Sequence, residues 1–449
     1  MSQSYRWRTA IIGYWCLSVC LLNGYSSHAD ALGLMEAWQQ ALKHDPGLQA
    51  ARHERNATVE ERNIGRAALL PKVNYDYGQA RVDSTVTNGD RSADRDYTSY
   101  SSTLSLQQPL LDYEAWSRYQ HGNTSALQAE ELLLDQNRQL LVKLFQTYTS
   151  VLLNQEQIML LQAQQRSWRE QLKLNRRLFD MGEGTRTDML ETEARLNMNH
   201  ALLIEARDNL DLSEQTLAKL LGKPTINAAQ LTPLSPHFIP QSLQPANLQH
   251  WQSLTLRYNA QLLVAGYSLD AAKYNIERNR AGHMPRITLV ASARKNSSET
   301  ESTYNQKYDT RSIGVQVNIP LFSGGGVSAA TRQAAERYRQ TALEKDDLTA
   351  SLLLEIRRQF NLVAGSQAKI EAYQLAERSA QALIKATQKS VLGGERVNLD
   401  ILNAEQQLYS TRRDLAEARY AWLTAWLELH YYAGKLDDDT LQQLAKNFN

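Results

Sequence analysis

The sequence predicts a mainly α-helical protein with a small β part, built twice from the same series of elements, and three observations predict it. Landmarks recur at an offset of about 212 residues: Glu205-Ala206-Arg207 returns as Glu417-Ala418-Arg419, and Leu221-Gly222-Lys223 as Ala433-Gly434-Lys435. Leu70-Pro71-Lys72 is answered by Met284-Pro285-Arg286, and Gln108-Pro109-Leu110-Leu111 by Ile319-Pro320-Leu321-Phe322. Identity is thin, but order and spacing are kept, as in a structural repeat. The prolines punctuate this scheme, with Pro224, Pro233, Pro236, Pro240 and Pro245 gathered in one connector. Because proline breaks helices and central strands, two proline-free stretches of about 70 residues are left to form unbroken helices.

In chain order, residues 1–29 read as a signal peptide. Arg6 and Arg8 precede an apolar run from Ile11 to Leu22, and Ser27-His28-Ala29 fits cleavage before Asp30. That run is too short to cross a bilayer. A lipidated start at Cys20 is the rival, but Val19 stands where that signal needs a small residue. Cys16 and Cys20 both lie in the signal, so the mature chain is expected to lack thiols, disulfides and thiolate metal sites. It would carry 47 basic and 48 acidic residues, a balance that favours no nucleic acid. No later segment is apolar enough for a transmembrane helix. The mature chain divides into a first repeat (30–223), a proline-rich connector (224–246), a second repeat (247–435) and a C-terminal tail (436–449).

Each repeat contains a predicted hairpin. Val73, Tyr75 and Tyr77 alternate after Pro71, a polar loop follows over 83–96, and Tyr100, Ser102, Leu104 and Leu106 alternate up to Pro109. In the second repeat Ile287, Leu289, Ala291 and Ala293 share one face, and after the polar stretch 295–309 so do Ile313, Val315, Val317 and Ile319. Strands of about ten residues suit an outer-membrane span, although a half-buried soluble hairpin alternates in the same way. Tyr75, Tyr77, Tyr97, Tyr100, Tyr304 and Tyr308 fit interfacial aromatic belts. Four strands per chain cannot close a barrel, so membrane strands would have to be shared between copies; a trimer supplies twelve.

Asp112 and Ser323 are expected N-caps for the long helices, which run to Gly182 and Gly393, a length on the order of 100 Å. Leu140, Leu144, Tyr148, Val151, Ile158 and Leu161, and later Ile356, Phe360 and Val363, recur at coiled-coil spacing. Shorter helices are expected at about 46–70 and from Arg186 to Leu221, stacked end to end along one long helix.

Motifs for catalysis are absent: there is no H-E-x-x-H, no Walker loop, no G-x-S-x-G and no dinucleotide fingerprint. Ser323-Gly324-Gly325-Gly326 reads as a flexible joint, and Gly222-Lys223 and Gly434-Lys435 as helix C-caps. The histidines are scattered, so no enzyme activity, cofactor or metal is expected. The informative places are two corners, Met181-Gly182-Glu183-Gly184-Thr185-Arg186-Thr187-Asp188 and Gly393-Gly394-Glu395-Arg396-Val397-Asn398-Leu399-Asp400. Gly182, Gly184, Gly393 and Gly394 permit the turns, and Thr187 or Asn398 would cap the returning helix. Brought together at the end of a bundle, Asp188, Arg396 and Asp400 would form a charged constriction.

Through these G-x(3–5)-D-x-L corners, the P-L-[LF] junctions and the duplication, the mature chain resembles the TolC family of outer-membrane efflux and secretion proteins. Its overall likeness is to the branch serving type I secretion, such as protease and haemophore exporters. The resemblance implies a homotrimer with a twelve-stranded barrel in outer-membrane lipid and a periplasmic tube. It also implies a periplasmic adaptor and an inner-membrane ABC transporter as partners, an unfolded polypeptide as cargo, and partner docking at the corners. Asp400 then matches an acidic pore ring, and Arg396 and Asp188 match the network closing the entrance. Val391 and Asn403 depart from the family pattern, standing where a tyrosine and a second acidic residue can occur, which implies a gate held by fewer bonds. An efflux duct for small molecules has the same architecture and is the alternative.

Overall fold

The computed structural model describes residues 31–448; the signal segment and its cleavage site, with both cysteines, lie outside them. After α1 (Leu34–His44) and α2 (Pro46–Ala67) come strands β1 (Lys72–Asn88) and β2 (Arg91–Leu111), then α3 (Tyr113–Asp180) and α4 (Arg186–Leu221). The series recurs as α5 (Leu248–Tyr258), α6 (Ala260–Arg280), β3 (Arg286–Ser297), β4 (Lys307–Asn318), α7 (Gly326–Leu392) and α8 (Asn398–Tyr432), and α9 (Asp438–Ala445) follows. Asp112 caps α3 as expected, its carboxylate accepting from the Ala115 N–H at 3.0 Å. Ser323 does not cap α7. Gly324 and Gly325 take positive φ (61° and 78°), which carries the helix start past Ser323 to Gly326 with no side-chain cap.

The long helices form a four-helix face in which α4 and α2 lie along α3, while α6 and α8 lie along α7. Its waist is apolar: Leu144, Phe145, Tyr148, Leu217, Ile356, Leu423 and Leu427 are fully buried there. The connector and α9 close over this waist. The Tyr148 hydroxyl donates to the Leu32 carbonyl at 2.9 Å and accepts from the Thr232 N–H at 3.0 Å, and the Trp38 indole donates to Asp438 at 3.0 Å. Burial pushes the Tyr148 phenol up to about 12.

The four strands make one antiparallel sheet in the order β1-β2-β3-β4. Both hairpins are longer than the alternation predicts. The polar segment 83–96 is not a loop: β1 and β2 pair through Asn88↔Arg91, with Gly89 at φ 62° in the turn. Val82, Ser84 and Val86 are half-buried and alternate with exposed neighbours. β-Branched residues there favour extended backbone despite their polar partners. The stretch 295–309 is likewise shortened to a turn by the pairing Ser297↔Lys307.

Register decides what each face presents, since residues directly opposite share a face. The row Val73–Leu106–Ala291–Ile313 is wholly apolar, whereas the adjacent row Asn74–Ser105–Ser292–Ser312 is wholly polar. Ile313, Val315 and Val317 stand 56–78% exposed on this surface. From Ile287 to Ala293 the apolar positions of β3 span roughly 20 Å along the strand, close to the height of an outer-membrane apolar band, with Arg311 opposite Ala293 at its upper margin. Above it the β1–β2 hairpin continues as polar ribbon, with Arg81 paired to Asp96 and Thr85 to Asp94. No helix among the described residues is long and apolar enough to cross a membrane.

Candidate gate at the helix corners

Both corners lie at the end of the body remote from the sheet. In the first, the α3 carbonyl of Leu178 accepts from the N–H groups of Glu183 (2.9 Å) and Gly184 (3.0 Å), with Gly182 at φ 76°. In the second, Gly393 continues the helical backbone, Gly394 takes φ 78°, and the Glu395 N–H donates to the Ser390 carbonyl at 2.9 Å. The glycines thus play their expected part, satisfying the last carbonyls of α3 and α7.

The caps differ from expectation. Thr185, not Thr187, opens α4: its hydroxyl accepts from the Asp188 N–H at 3.1 Å while the Asp188 carboxylate accepts from the Thr185 N–H and hydroxyl. This is a capping box with Asp at the third helical position, a spacing visible in Thr185-Arg186-Thr187-Asp188. Asn398 does not cap α8 either. Val397 occupies that place without a side-chain bond, and Asn398, 8% exposed, turns inward.

Asn398 therefore ties the corners together. Its carbonyl oxygen accepts from Gln171 of α3 at 2.6 Å, and its amide lies 3.5 Å from the Thr192 hydroxyl of α4. Asn175 donates to the same hydroxyl at 2.9 Å and to the Asp188 carbonyl at 3.3 Å. Above this rung Asn199 of α4 donates to Gln164 of α3 at 2.9 Å, which donates to Gln406 of α8 at 3.0 Å. Asn403 accepts from Arg195 of α4 at 2.9 Å. Among the described residues no ion pair of the chain joins Asp188, Arg396 or Asp400 to one another, and Asp188 is engaged in its own capping box.

Gln171, Asn175, Thr192, Thr185 and Arg195 escaped the sequence reading. The signal was there for Asn175: with Trp168 and Leu161 it continues a seven-residue spacing along the buried stripe of α3, where an apolar side chain is the usual occupant. Partners more than 200 residues away in the chain, as for Gln171 and Asn398, leave no local trace. Below the apolar waist, then, α3, α4 and α8 are joined by amide and hydroxyl rungs and one arginine, with a small apolar cluster of Ile158, Leu203 and Ala206 and scattered buried side chains such as Trp168, Leu172 and Leu402. Polar rungs of this kind have water as a ready substitute partner, so this end parts at lower cost than the waist.

Comparison with known proteins agrees with this architecture. The family model described as "Outer membrane efflux protein" matches residues 37–223 and 251–435. The "Proteases secretion protein PrtF" of Dickeya chrysanthemi is 49% identical over 435 residues, covering 96% of this chain and 94% of that protein. The "Alkaline protease secretion protein AprF" of Pseudomonas aeruginosa is 47% identical, covering 94% and 88%. Among solved structures, the outer membrane protein VceC of Vibrio cholerae shares the fold with TM-score 0.78 at 19% identity, over 89% of this chain and 96% of that one. The chain is a member of the outer membrane efflux protein family, the TolC family.

Proposed function

We propose that three copies of this chain form the outer-membrane duct of a type I secretion system, passing an unfolded polypeptide such as a protease to the exterior. The single observation that carries this reading is the 49% identity to PrtF over nearly the whole chain, with AprF close behind. The sheet supports it physically: β1 and β4 are unpaired outer strands, which lipid does not tolerate, and three four-stranded sheets joined edge to edge close a twelve-stranded barrel. Its apolar face would meet lipid and its polar face the lumen.

The chain performs transport rather than catalysis on this reading. A periplasmic adaptor would dock at the Gly182–Gly184 and Gly393–Gly394 corners, and an inner-membrane ABC transporter would supply the energy. At the narrow end of the tube Asp400 of three copies would form the pore ring. Arg396, Asp188 and Asn403 would stand around it, Arg396, which makes no ion pair among the described residues, reaching across protomers. The division into signal, repeats, connector and tail follows the same scheme.

The test is reconstitution in a host whose own duct has been deleted. Expressed with the adaptor and ABC transporter of a protease exporter, this chain is expected to return active protease to the medium. Assembly in the outer membrane without protease release would overturn the cargo reading. Small-molecule efflux is the second reading, favoured by the family's description as efflux proteins. It requires that the same host regain resistance to toxic compounds instead.

A further inference from the structure

Between the two neutral rungs that join α3 to α8 near the corners lies an ionisable side chain. Glu405 is 6% exposed, sealed between Ser167 and Trp168 of α3 and its own helix. Its Oε1 accepts from the Ser167 hydroxyl at 2.6 Å. Its Oε2 is buried without a hydrogen-bond partner. The Trp168 indole N–H is near enough to favour the charged form, yet it too is buried and makes no hydrogen bond of ordinary geometry. A carboxylate so placed has one donor where it needs three or four, and among the described residues no cation compensates it.

The surrounding cations do not reach the Glu405 carboxyl. Arg412 of α8 is bound to Glu377 of α7 at 2.9 Å. Arg166 of α3 lies near enough to act on Tyr409, as Glu405 does, but among the described residues it makes no hydrogen bond or ion pair with the Glu405 carboxyl. Arg195 of α4 donates to Asn403. The register set by Arg412 and Glu377 brings only Lys385 of α7 near this level, and that side chain is exposed.

From this placement we propose that Glu405 is a titratable latch of the tunnel entrance, neutral while α3 and α8 are packed and ionised when they part. Parting gives the carboxylate the water it lacks, and the proton leaves to solvent. Burial raises the carboxyl above the ordinary glutamate range, against the smaller pulls of Ser167 and Trp168. The closed packing is therefore strongest below that range and weakens as pH rises through the raised value. Ser167 acts as a positioning residue, since its bond favours the charged form.

This inference rests on the corners being the entrance of a pore. The experiment is single-channel recording of the purified full-length trimer in planar bilayers, from the ordinary glutamate range up to neutrality. The native pore is expected to open more as pH rises, with the change concentrated above the ordinary glutamate range. Glu405→Gln, close in shape but never charged, is expected to stay in the low-conductance state with that slope abolished. Ser167→Ala is expected to keep the slope and move its midpoint to higher pH. A trimer forming no pore at all would overturn the reading of the tube; a native pore whose slope survives in Glu405→Gln would overturn the latch alone. If Glu405→Gln fails to assemble, an unmoved midpoint in Ser167→Ala overturns the latch instead.

Discussion

Gly122 is where α2 and α3 come closest: a Cβ there would stand 2.3 Å from the Glu61 carbonyl oxygen. Because the obstacle is helix backbone, the helices themselves must separate to admit a methyl group. Gly122→Ala is expected to destabilise the folded protein by about 3 kcal/mol, measured by denaturant unfolding. At the corner, Thr185→Ala removes the capping box and is expected to cost about 1 kcal/mol. Asp400→Ala is expected to raise conductance or reduce divalent-cation block of the reconstituted pore; no change in either removes Asp400 from the gate. Single residues were legible in the sequence when their partner was local. Asp112 could be read as a cap because its bond reaches only to Ala115. Ser323 misled because the two left-handed glycines after it decide where α7 begins. Thr185 rather than Thr187 caps α4 because only Thr185 has Asp188 three residues on to close the box.

At the scale of elements, period decided what could be foreseen. Proline-free helical stretches placed α3 and α7 within a few residues of their ends, since nothing but the glycine corners interrupts them. The strand alternation placed the apolar face correctly but ended too early, because it counted apolar residues and the upper β1–β2 ribbon is built from threonine, serine and charged pairs. The two faces give a paired prediction. Ala291→Arg, on the apolar row, is expected to cost roughly 2–4 kcal/mol and deplete assembled protein from the outer membrane. Ser292→Arg, one residue on and facing the other way, is expected to assemble normally and alter only conductance. The helical body carries further buried acids: Glu156 and Glu428 are, like Glu405, raised above the ordinary carboxylate range by burial. Their contribution to stability is fully present below that range and lost as pH rises through the raised values. These acids favour the folded state in mild acid, whereas His121 and His430, which burial pushes below the ordinary imidazole range, favour it at neutrality. Glu428→Gln is therefore expected to lower the thermal unfolding temperature in mild acid relative to that at neutrality.

The whole molecule is a firm waist with separable ends. The middle of the body is locked by fully buried Leu, Ile, Phe and Tyr side chains and closed over by the connector and α9. The corner end is held largely by polar rungs, and the sheet end presents two unpaired strand edges. Such a chain is incomplete alone, and its copies complete one another in the proposed trimer. Duplication, hairpins and long helices were legible because each is written in local spacing. The corner rungs were not, because each joins segments brought side by side only by the fold. Whether the proposed duct carries polypeptide is tested by comparing the culture supernatant of a strain lacking the chain with that of its parent. One or a few large polypeptides are expected to vanish from the medium and return on complementation; an unchanged set of secreted proteins would overturn the polypeptide cargo.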